Sequence, residues 1–215
     1  FVMKVMTHPP SIQPLGLLNG GGFDPNSRAC HAAEIGGAGG ISNARGLAGI
    51  YAPFACGGEL GGVRLVDRRQ LARMGEVSVA TNEDATLLIP TRFALGFMKS
   101  MDNRRRPRGD RDSAILSSAA FGHVGAGGSI GFADPDAGMS FGYSMNRMGP
   151  GLMLNERGQS LFDAAKQGYD KKDWANAIAV DAGGNAYIAG ESDAENSFPA
   201  KSNFQGGTSG NGHFL

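Results

Sequence analysis

Cysteine is nearly missing from this chain of 215 residues: Cys30 and Cys56 are the only two. Two thiols do not make the disulfide framework of a small secreted scaffold, and neither has the local histidine-bearing signature of a catalytic cysteine, so both read as reduced, structural residues. Net charge is missing as well. Lys and Arg number 20 and so do Asp and Glu, a balance that gives no general attraction to nucleic acid or to an anionic membrane. No run of ~18 apolar residues occurs, so no membrane span is expected. Phe1 to Met6 is too short for a signal peptide. The missing initiator methionine points to a fragment or a processed start, and the compartment stays open between cytoplasmic and exported. No His, Cys and Glu spacing suits a metal ion. No phosphate-binding loop suits a nucleotide. No cofactor is therefore expected.

Glycine is what the chain has in excess, with 35 residues, about double the usual share of ~7%. Five of them fall between Phe121 and Gly131, in the run Phe121-Gly122-His123-Val124-Gly125-Ala126-Gly127-Gly128-Ser129-Ile130-Gly131. Glycine lets a backbone turn sharply or approach another group closely, and polar residues set in such a run are candidates for ligand contact. Gly127 to Gly131 also spells G-x-S-x-G, the pattern of a serine on a strained strand-to-helix turn. The candidate catalytic residues are Ser129 as nucleophile, His123 as its base and Asp134 as the group that orients the base. The competing readings are a strand serine after a glycine bend, a hydrogen-bonded strand histidine, and an aspartate doing ordinary turn chemistry at Asp134-Pro135-Asp136-Ala137-Gly138. His8, His31 and His213 have no comparable setting.

Read in order, residues 1 to 31 are loop by their prolines and glycines. Ser42 or Asn43 caps a helix over 44–55, and Asp67 caps a second over 68–74. Strands are expected at 85–89 and 92–98, separated by Pro90. The arginines of Arg104-Arg105-Arg106-Pro107-Arg108 read as a solvated loop rather than a phosphate site. Extended segments at 115–124, 129–133 and 139–145 then make an antiparallel meander, and Asn155 caps a helix over 156–167 with Leu161, Phe162 and Ala165 on one face. The fold class expected is α+β, an antiparallel sheet packed by helices. From Tyr169 the composition changes. Residues 173–190 alternate apolar and small residues about Gly183-Gly184, a β-hairpin signal.

Several of these segments carry a family resemblance. His123-Val124-Gly125, followed by Gly127-Gly128-Ser129 and Gly131-Phe132-Ala133-Asp134-Pro135, resembles the third motif of the serine β-lactamases, penicillin-binding proteins and family VIII esterases, where a strand carries K-T-G or H-x-G. The segments 33–48, 95–98 and 140–148 resemble the helix entry and the strands around that motif. The resemblance spans about residues 8–168. It implies a β-lactamase-like hydrolase domain over 1–168, with His123 facing the cleft and the backbone at Gly125, Ala126 and Gly128 serving the oxyanion and substrate. The family nucleophile is the serine of an upstream S-x-x-K, and no serine here has lysine three positions later. Ser144-Met145-Asn146 spells S-x-N but follows the third motif instead of preceding it. The chain thus resembles the C-terminal part of such a domain. Residues 173–215 resemble a single β-propeller repeat of the SBBP type, an appendage over 169–215 suited to a protein partner, since one blade cannot close a propeller.

Three functions follow as expectations. One is a carboxylester hydrolase (esterase or lipase) of the serine β-lactamase-like class acting on short acyl esters. A second is an α/β-hydrolase-like lipase built on G-x-S-x-G. The third is a catalytically silent fragment with an interaction tail.

Overall fold

The computed structural model describes residues 24–37, 39–107 and 111–169, together with the backbone of two strands at 173–180 and 186–192. After a short helix α1 (Arg28–Ala32), the chain enters α2 (Ala44–Ala55), a small hairpin of β1 (Glu59–Leu60) and β2 (Val63–Arg64), and α3 (Arg68–Gly75). Both longer helices start where the sequence places a cap. Asn43 accepts the N–H of Gly46 at 2.9 Å and Asp67 that of Gln70 at 2.7 Å, satisfying donors that the first helical turn leaves without partners.

Six strands then form one antiparallel sheet in sequence order: β3 (Val79–Thr81), β4 (Thr91–Phe93), β5 (Met98–Lys99), β6 (Phe121–Val124), β7 (Ile130–Asp134) and β8 (Met139–Tyr143). The helix α4 (Glu156–Tyr169) follows, started by Asn155, whose side chain accepts from Gly158. The antiparallel α+β class expected from the sequence is the observed one.

Side chains alternate between the two faces of each strand, and the faces are covered differently. On one, Phe132 of β7 and Phe141 of β8 stack at 5.3 Å, and Phe162 of α4 meets them edge-on at 5.0 and 5.9 Å. Ile130, Tyr143 and Ala165 complete this main core. On the other face lies α2. Its approach is made possible by the cross-strand pair Gly131 and Gly142. A Cβ on Gly131 would fall 2.6 Å from Cε2 of Tyr51, and one on Gly142 would collide with the backbone carbonyl of Ala44. Beyond that contact, Tyr51, Phe54, Phe97 and Phe121 form an edge-to-face aromatic group, with Phe97 and Phe121 at 5.0 Å, a favoured ring geometry. Leu71 and Met74 of α3 close this smaller core.

Two expected strands come out differently. Residues 85–89 form a turn, because the Asp84 carboxylate accepts the N–H groups of Thr86 and Leu87 at 2.8 Å each and Leu88 takes a φ of 59°. An aspartate that captures the next backbone donors offers the chain an alternative to a ladder. Residues 92–98 are two strands joined at a tight turn closed by Ala94 N–H to Phe97 carbonyl at 2.7 Å. The extended run 115–124 becomes a strand only from Phe121.

The hairpin after α4 is present as β9 (Asp173–Val180) and β10 (Ala186–Ser192), paired antiparallel with a bulge between Ala189 and Gly190. Its turn, including Gly183-Gly184, lies outside the described residues, as do 1–23 and everything after Ser192. The backbone of β9 lies beside β8 and beside both α2 and α4.

Candidate active site

The candidate site is the end of β6 and the turn that follows it. The ladder between β5 and β6 stops at Met98 opposite Gly122, one residue short of His123. On its other side His123 is paired with Gly131 of β7. His123 therefore stands on the α2 face where β6 has run past its neighbour, and it is exposed, as are Gly125 and Ala126, whereas Val124, Gly127 and Gly128 are buried. The ring of Phe93 lies 6.2 Å from the imidazole. The His123 Nδ1 is 2.7 Å from the Val124 carbonyl oxygen. A carbonyl only accepts, so Nδ1 is the donor, and in the neutral ring Nε2 is left with its lone pair.

The three proposed oxyanion positions are not equivalent. Gly125 N–H donates to the Ser129 carbonyl at 2.7 Å and Gly128 N–H to the Gly125 carbonyl at 3.0 Å. Both donors are spent inside the turn, which corrects their expected role. The Ala126 N–H has no partner among the described residues and is exposed.

Ser129 does not form a nucleophile elbow. It leads into β7, not into a helix, and an elbow needs the strand-to-helix turn. Its Oγ accepts the Met145 N–H at 3.3 Å. Met145 follows β8, on the far side of β7 from β6, so the hydroxyl is turned away from the strand that carries His123.

Asp134 does not orient His123 either. It lies three residues from Gly131 on β7, hence on the opposite face of the sheet, and it is 3% exposed. Its carboxylate accepts from the Ser117 hydroxyl and, at 3.2 Å, from the Ala137 N–H. This is the turn chemistry that the alternative reading named. The triad Ser129, His123 and Asp134 is therefore not assembled by hydrogen bonds; His123 near the end of β6 and Ala126 in the turn that follows are both exposed.

Two residues near the site carried no chemical signal in the sequence. Tyr51 packs over Gly131, directly opposite His123 in the ladder. Burial pushes its hydroxyl above the ordinary value of 10.0. Asn155 read only as a helix cap, yet its amide also reaches the carbonyl of Gly127 at 2.7 Å. Among the described residues no three His, Cys, Asp or Glu side chains group to hold a metal ion, and no helix is long and apolar enough to cross a membrane.

An antiparallel sheet with helices on both faces and a histidine-bearing inner strand that outruns one neighbour fits a β-lactamase-like α+β domain. The comparisons agree. Residues 5–166 match the Beta-lactamase family, so the chain belongs to that family, and residues 168–199 match the SBBP β-propeller repeat. A curated relative, the esterase/beta-lactamase LipL of Mycobacterium tuberculosis, is 33% identical over 147 residues, which cover 64% of this chain and 32% of LipL. Among solved structures, a family VIII carboxylesterase is similar with a TM-score of 0.54 and 37% identity, covering 66% of this chain and 36% of the other. EstA from Arthrobacter nitroguajacolicus Rue61a is similar with a TM-score of 0.54 and 31% identity, covering 68% and 37%. The chain thus spans about a third of the length of these relatives.

Proposed function

We propose that this chain supplies the third-motif side of a serine carboxylester hydrolase that acts on short acyl esters through an acyl-enzyme. The observation that carries the reading is a pair of exposed residues at the end of β6 and in the turn after it: His123, whose Nδ1 is taken by the Val124 carbonyl and whose Nε2 is left over, and Ala126, whose N–H donates to nothing among the described residues. An imidazole with a free lone pair assists transfer of the serine proton to the leaving alcohol. An unpartnered backbone N–H is a donor for the carbonyl oxygen as it gains negative charge. In the full reaction a serine oxygen bonds to the acyl carbon while the alcohol leaves with a proton. Water then releases the acid and restores the serine. Relatives whose names include esterase and carboxylesterase support the substrate class.

A second reading is favoured by one specific feature: no serine in the chain has lysine three positions later. On that reading the chain is catalytically silent by itself, and its propeller-like tail meets a protein partner.

Fluorophosphonate labelling with mapping of the labelled peptide, run beside hydrolysis of p-nitrophenyl acetate, tests the two. The hydrolase reading expects turnover that falls ~10²–10⁴-fold in His123→Ala and stays unchanged in His31→Ala. It also expects Ser129→Ala to retain activity, since that hydroxyl is turned towards Met145. A label on Ser129 would reinstate that residue as nucleophile. Neither label nor turnover would leave the silent reading.

A further inference from the structure

We propose, on the basis of the hydrolase reading, that Asn155 is the positioning residue of the turn between β6 and β7, and that it fixes where the Ala126 N–H points. A helix N-cap needs only an acceptor, which serine, threonine or aspartate supplies as well as asparagine. Asn155 uses its Oδ1 for that purpose, accepting the Gly158 N–H at 3.1 Å. Its Nδ2 does something a cap does not require. It donates to the carbonyl oxygen of Gly127 at 2.7 Å, across 28 positions of sequence.

The surroundings are shaped to that amide. A Cβ on Gly128 or on Gly149 would collide with the Asn155 Nδ2, so two glycines make the slot in which it lies. Gly127 is held further by Gly149 N–H to its carbonyl at 2.8 Å and by its own N–H to the Gly151 carbonyl at 3.3 Å. Gly127 and Gly128 take φ values of 88° and 113°, conformations that only glycine adopts without strain. Ala126 is then flanked by two anchored residues, Gly125 through its bond to Ser129 and Gly127 through Asn155. A single amide joins the start of α4 to the turn that presents the donor.

Asn155→Asp separates the two duties. It keeps an acceptor for Gly158 and loses the donor to Gly127; Asn155→Ser does the same with a shorter side chain. Amide hydrogen exchange, which needs no activity, is the first readout. In both variants exchange at Gly125 and Gly127 is expected to accelerate by about tenfold or more, while Gly158 and Gln159 in α4 stay within about twofold of the parent. Unchanged exchange in the turn would overturn the proposal. So would equal acceleration through α4, which would make Asn155 a cap and nothing else. The second readout is p-nitrophenyl acetate turnover. A positioning role expects kcat to fall by about tenfold in Asn155→Asp with KM within about twofold, and a parental kcat with a loosened turn would overturn it. Absence of turnover in the unsubstituted chain refutes the hydrolase reading, and the anchoring of the turn is then decided by exchange alone.

Discussion

At the scale of single residues, the same side-chain chemistry serves geometry in some places and a candidate site in others, and the partner decides which. Asp134, read as a turn acid from its sequence, and Asp84, which the sequence reading passed over, both prove to be turn-formers with their oxygens occupied. Asp84 is the more informative for stability. Burial pushes its pKa up, but the N–H groups of Leu87 and Thr86 and the hydroxyl of Thr91 outweigh that, and its carboxyl is held below the ordinary value of 3.8. A carboxylate with a depressed folded pKa binds fewer protons folded than unfolded as the pH falls, so its contribution is present above the unfolded pKa and is lost as the pH drops through the folded one. Asp84→Ala is therefore expected to cost about 1–2 kcal/mol at pH 7, read from urea unfolding. The difference from the parent should shrink below pH 3.8. A deficit that stays constant down to pH 2 would show that the carboxylate's charge is not what the turn uses.

At the scale of elements, the fold depends on how closely α2 lies on the sheet. Gly131 closes the G-x-S-x-G spelling, whose pattern is a serine on a strained strand-to-helix turn. The structure gives it a different task, since the space where its Cβ would stand is filled by Tyr51. Gly142, its partner in the ladder, faces the backbone of α2 at Ala44 and Ala48. Because backbone cannot move aside as a side-chain tip can, Gly142→Ala is expected to push α2 off β8 and to cost about 1–3 kcal/mol, more than Gly131→Ala, where a tyrosine ring has some freedom. Thermal unfolding of the two variants would check the order. A Gly142→Ala protein as stable as the parent would mean that α2 does not pack at this distance in solution.

At the scale of the whole molecule, the sheet, its two covering layers and the strand β9 sit together. With β9 beside β8, α2 and α4, removal of everything after Tyr169 is expected to lower the melting temperature by at least a few degrees, since about 1 kcal/mol corresponds to ~2–4 °C at this size. A melting curve unmoved by the truncation would show that β9 adds nothing to the stability of the layers it lies beside. The chain also spans only about a third of its esterase relatives, which is why the activity is best tested by labelling and turnover together.

Much of the architecture was legible in the residues themselves. Ser42 or Asn43, Asp67 and Asn155 marked three helix starts because capping is local chemistry, fixed by the next three residues. The strands β7 and β8 and the helix face of Phe162 and Ala165 followed from periodicity, which is also local. The family resemblance, carried by His123-Val124-Gly125 and the glycines after it, placed the candidate site on β6. What the sequence did not decide was anything that depends on a neighbour from elsewhere in the chain. Whether Ser129 faces His123 or Met145, whether Gly125 and Gly128 keep their N–H groups free, and which face Asp134 occupies all turn on register and sheet order, where a shift of one residue moves a side chain to the other face. Tertiary structure alone made Gly131 a seat for Tyr51 and gave the second hydrogen bond of Asn155 a carbonyl 28 residues away to hold.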